Sequence, residues 1–136
     1  MEDILVIQKI KAKFVQVGNP TQIPLLRGEG SFKAKYSREG INVNNLGSKP
    51  FLPWVVFTET LILLENLGGS AKLGNAMNSK LGDLDLPLTS VEGYIANKIY
   101  GIQIGGSVFR RITPITDILI WAGLCKHEKG KLILLK

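Results

Sequence analysis

The sequence predicts an α+β chain, with a small N-terminal antiparallel β-sheet followed by a helical region that closes on a C-terminal β-hairpin. Three observations predict it. Apolar and polar residues alternate with period two in much of the first fifty residues. The period changes to three and four from Pro53 onward. A short alternating segment with charged residues at its centre ends the chain.

Within residues 1–50, Lys9, Lys11 and Lys13 alternate with Ile10, Ala12 and Phe14, the pattern of a half-buried strand over Lys9–Val17. Asn19-Pro20 breaks it. Ser31–Ser37 repeats it, with Phe32, Ala34 and Tyr36 inward and Lys33 and Lys35 outward. Arg38-Glu39-Gly40 reads as a turn and Ile41-Asn42-Val43 as the returning strand, and residues 44–50 are a loop. Pro53 suits the first position of a helix, where its missing N–H is no loss. Trp54, Phe57, Leu61 and Leu64 give that helix one apolar side, and Gly68-Gly69 ends it, predicting helix over 53–67. Ser70 is read as the cap of a shorter helix carrying Leu73, Ala76, Met77 and Leu81. Thr89 and Glu92 have capping-box spacing, predicting a helix over 90–100, and Ile102-Gln103-Ile104 reads as a short strand. Thr113 as cap and Pro114 at the first position predict a last helix over 114–122, with Asp117 near its positive end. Residues 124–135 then read as the hairpin.

The chain of 136 residues fits one compact unit, divided at most into a β-rich N-terminal segment (residues 1–50) and a largely helical segment that ends on the hairpin (residues 51–136). No apolar run approaches the roughly 18 residues of a membrane span. Acids follow Met1 where a secretory signal would be basic, so the expectation is a cytoplasmic protein. The single Cys125 allows no internal disulfide.

Several chemistries find no residues. His127 is the only histidine, which leaves no paired-histidine nuclease site and no zinc finger. No Gly-x-Ser-x-Gly elbow occurs, and Gly68–Gly74 lacks the Gly-Lys-Ser/Thr ending of a phosphate loop. Asp83 and Asp85 are a pair two residues apart, read as solvated, and no lysine has an acid two residues before it, as restriction-type nucleases usually do. The expectation is a non-catalytic protein without metal or cofactor. A small enzyme would need Asp83, Asp85 and Glu92 to converge.

Net charge is +6 and uneven: Lys and Arg outnumber Asp and Glu by 8 to 4 in residues 1–50 and by 6 to 2 in 101–136, but trail 3 to 5 between. Two basic ends suit a polyanion, most often nucleic acid. They also suit plain solubility.

Phe51-Leu52-Pro53 opening a helix, Gly68-Gly69-Ser70-Ala71-Lys72 after it, and Ile118–Leu124 running into a hairpin resemble the winged-helix domains at the N-terminus of bacterial Mrr-type restriction proteins. The resemblance covers residues 51–136, with about Gly82 to Ile112 standing as an insertion. It implies that the last helix is a recognition helix and the hairpin a wing, on duplex DNA. The DNA-binding residues it implies are Arg110, Arg111, Thr113 and Thr116 at the helix start, and Lys126, Lys129 and Lys131 on the wing. The other reading of Arg110 and Arg111 is that they pair with Asp83, Asp85 or Glu92 and tie the insertion down. The alternative function is a protein–protein interaction module, or an interface between copies of this chain.

Overall fold

Val6, Ile10 and Phe14 stand four residues apart, and that spacing builds the first element. In the computed structural model, which describes residues 2–135, Asp3–Val17 is a helix (α1) that buries those three side chains and leaves Ala12 exposed. The strand expected over Lys9–Val17 is therefore replaced by helix, and the first fifty residues open on a helix before their sheet begins. Alternating lysines mimic period two, but Lys11 and Lys13 lie over the rings of Trp54 and Trp121, at 5.4 and 5.9 Å from their centroids. Phe14 meets Tyr36 and Trp121 edge-on, with centroids 5.2 and 4.9 Å apart.

Thr21–Pro24 (β1), Ser31–Tyr36 (β2), Gly40–Val43 (β3) and Phe51–Pro53 (β4) form an antiparallel sheet in sequence order. Ala34 pairs with Thr21 on one side and Val43 on the other. Phe32 and Ala34 are buried and Lys33 and Lys35 exposed, as the alternation requires. Trp54–Asn66 (α2) follows, with Pro53 as its N-cap rather than its first residue, and buries Trp54, Phe57, Leu61 and Leu64.

Ser70 does not cap a helix. Ser70–Lys72 is a short strand (β5), and the chain to Ser90 is irregular. Gly74, at φ +87°, has a backbone that L side chains rarely adopt, and β5 has a partner far along the chain. Val91–Lys98 (α3) is the next helix. Its cap is Ser90, whose Oγ accepts from Gly93 N at 3.1 Å, not Thr89. Val91 and Ile95 join the common core, so α3 is integral to the fold and does not belong to an appended insertion. Residues 102–104 form no strand; backbone bonds Gly105 N to Leu81 O (2.8 Å) and Leu81 N to Gly106 O (3.0 Å) tie that loop to the segment after β5.

Ile112–Trp121 (α4) begins earlier than Thr113-Pro114 suggests, with Arg111 as its N-cap. Cys125–Glu128 (β6) and Lys131–Leu134 (β7) make the hairpin, and β5 pairs with β7 to give a second sheet ordered β5-β7-β6. One hydrophobic core runs through Val6, Phe14, Ile41, Leu52, Phe57, Ile95, Ile118 and Leu132, joining the first fifty residues to the remainder. Among the described residues no helix is long and apolar enough to cross a membrane.

Candidate nucleic-acid interface

A cleft of about 780 Å³ opens where four stretches of the chain converge: the turn after β1, the segment after β5, the start of α4 and the tip of the β6–β7 hairpin. Arg27, Lys72, Arg110, Lys129 and Lys131 line it, with Asp85 and Asp117 as the acids. Thr113 and Thr116 stand on the α4 side, and Leu25, Leu26, Met77 and Leu84 supply apolar surface. Backbone geometry shapes the hairpin tip, where Lys129 (φ +48°) and Gly130 both adopt left-handed conformations.

Of the seven residues implied by the resemblance, five line this cleft: Arg110, Thr113, Thr116, Lys129 and Lys131. Thr116 is only 3% exposed and its hydroxyl has no partner among the described residues, so it shapes the wall more than it offers a contact. Lys126 lies elsewhere, on β6, where it pairs with Glu128 at 3.5 Å in an exposed salt bridge. Such pairs contribute little to stability.

Arg111 departs furthest from expectation. It is 7% exposed, with its guanidinium carbon 3.6 Å from the centroid of Tyr100 and 4.8 Å from that of Phe109. Its backbone N–H donates to both Glu92 carboxylate oxygens at 3.1 Å, and Ile112 N donates to Glu92 Oε1 at 3.3 Å. A carboxylate from α3 thus satisfies the first free N–H groups of α4, where the helix dipole also favours it. Burial nevertheless pushes Glu92 up to about 7, against the lowering effect of those backbone bonds and of Arg111 and Arg110. Arg111 ties α3 to α4, while its exposed neighbour Arg110 lines the cleft.

The helix expected to enter a groove has no free face. Thr113, Ile120 and Trp121 are half-buried and every other residue of α4 is buried. The β1 strand packs on it, and Leu26 N donates to Asp117 Oδ2 at 3.3 Å. Asp117 is consequently a buried tie rather than an exposed acid at a helix start, and desolvation raises it to about 6. The exposed cation nearest the start of α4 is Arg110, on the lining of the cleft.

Sequence reasoning missed Arg27 and Lys72 because each is an isolated cation in its own segment. Met77 reaches the cleft from irregular chain, since the helix expected to carry it does not form. Among the described residues no group of three or more His, Cys, Asp or Glu is arranged to hold a metal ion. The Cys125 thiol is buried and pushed up to about 12 by desolvation. The chain has no significant match to any family model, curated protein or solved structure.

Proposed function

We propose that the protein binds DNA without chemistry, through phosphate contacts at the cleft, and that residues 51–135 are a winged-helix-like unit. The observation that carries the binding reading is the convergence of Arg27, Lys72, Arg110, Lys129 and Lys131, from four separated segments, on one concave site. Cations gathered by tertiary structure provide a concentrated field that scattered surface lysines do not. The winged-helix likeness is supported by the order α2-β5-α3-α4-β6-β7 and by the pairing of β5 with β7 beside the hairpin. In this likeness α3 takes the place of the second helix, and the wing is the hairpin whose tip carries Lys129 and Lys131.

Fluorescence anisotropy with a labelled DNA duplex at several salt concentrations tests the reading. Each neutralised phosphate contributes a slope of roughly −0.9 in log affinity against log salt. Arg110→Ala and the pair Lys129→Ala/Lys131→Ala are expected to reduce the slope by up to about 1 and about 2. Absence of binding at low salt, to duplex and to single strand alike, defeats the proposal. The interaction-module reading then stands in its place, favoured by the exposed Leu84, Met77 and Leu26 along the same cleft.

A further inference from the structure

The cleft is lined by apolar as well as cationic residues, and the apolar ones have no use in contacts with phosphate alone. Leu84 is 96% exposed, Met77 68% and Leu26 40%, all on a site that also carries the five cations. Apolar side chains left in water around a concave opening mark a surface that something covers. The cleft is open to solvent, and its volume of about 780 Å³ lies within the range of clefts that take small organic ligands, roughly 300–1,000 Å³.

Intact duplex engages only the cations of this site. Its outer surface is phosphate and sugar, and its base faces are stacked out of reach. Reading a duplex from the groove would need a free helix face, which α4 lacks. An unpaired nucleotide presents both chemistries at once: an anionic phosphate for the rim, and a flat, largely apolar base for the wall of Leu26, Met77 and Leu84. Extruding a base costs least where it is already unpaired.

We propose that the cleft receives an unpaired nucleotide, in a single strand or as a bulge in a duplex, in preference to intact duplex. The inference rests on the nucleic-acid reading above. It adds a sign that electrostatics alone does not produce. Duplex carries the higher charge density, so a site that felt only phosphates would bind duplex more tightly than single strand.

Three fluorescein-labelled probes test it by anisotropy at one salt concentration: a single strand, its perfect duplex, and the duplex with one bulged nucleotide. The single strand and the bulged duplex are expected to bind roughly tenfold more tightly than perfect duplex, the scale of burying about two methylene groups of apolar surface. The double variant Met77→Ser/Leu84→Ser, both exposed, is expected to remove most of that preference. With 2-aminopurine at the bulge, the wild type changes the probe's emission on binding and the double variant does not. Equal or tighter binding of perfect duplex overturns this inference and leaves the phosphate reading intact. So does a double variant that keeps the full preference. Failure of all three probes to bind overturns both readings. Capture of an acidic, leucine-rich peptide by a protein that binds no nucleic acid also overturns both, and assigns the cleft to a polypeptide.

Discussion

Glu92 is the group whose removal of charge reports most directly on how α3 and α4 are joined. It is 2% exposed and accepts from the N–H groups of Arg111 and Ile112, yet burial raises it from 4.5 to about 7. With the folded value above the unfolded one, the folded state binds the extra proton. The associated stability is fully present below about pH 4.5 and is lost as pH rises through about 7. At about 1.4 kcal/mol per pH unit across that window, the loss is about 3 kcal/mol. Glutamine keeps a carbonyl oxygen for the two N–H groups and resembles the protonated acid, so Glu92→Gln is expected to match the wild type near pH 4.5. At pH 8 it is expected to be more stable by about 3 kcal/mol, a rise of about 10 °C in melting temperature for a chain of this size. Denaturant unfolding of both proteins from pH 4.5 to 8 measures the difference, and titrations the two share cancel in it. A difference that stays constant with pH, or a variant less stable at pH 8, refutes the reasoning.

Further outcomes follow from the same contacts. Arg111→Ala removes a guanidinium stacked on Tyr100 and Phe109 and is expected to cost about 2 kcal/mol in urea unfolding, whereas exposed Arg110→Ala stays within about 0.5 kcal/mol. Equal effects would show the two side chains to be misassigned. Phe14→Ala is expected to lower stability by about 3–5 kcal/mol, because α1 is anchored in the shared core; a loss under about 1 kcal/mol would show α1 to be peripheral. Gly93→Ala should destabilise, although alanine at an open helix position gains up to about 1 kcal/mol, because a Cβ there overlaps the Pro87 carbonyl oxygen. A raised melting temperature would contradict that packing.

The β2–β3 hairpin and the helices α2, α3 and α4 were legible because their burial is local: each repeats its apolar residues at its own period and carries its own stop. Helix α1 was not. Its lysines, Lys9, Lys11 and Lys13, alternate with Ile10, Ala12 and Phe14, and Val6, which completes the helical spacing, stands before the stretch that reads as a strand. Strand β5 is three residues long, too short for any period, and exists because residues 131–133 pair with it. Arg110 and Arg111 are indistinguishable in the sequence. Their fates separate because Glu92, nineteen residues before Arg111, fixes where α4 begins. The cleft was half legible: Arg110, Lys129 and Lys131 lie in one basic segment, but Arg27 and Lys72 reach it only through the fold.

The central claim is that one concave site, assembled from four segments, is where nucleic acid binds. The most direct test is a ¹⁵N–¹H correlation titration of the protein with a short oligonucleotide at low salt. Shifts are expected to cluster on the amides of Arg27, Lys72, Met77, Arg110, Thr113 and Lys129–Lys131, with the outward residues of α1 and Lys126 on β6 unmoved. Shifts centred on α1 or the outer face of the first sheet, with the cleft amides still, would contradict the account.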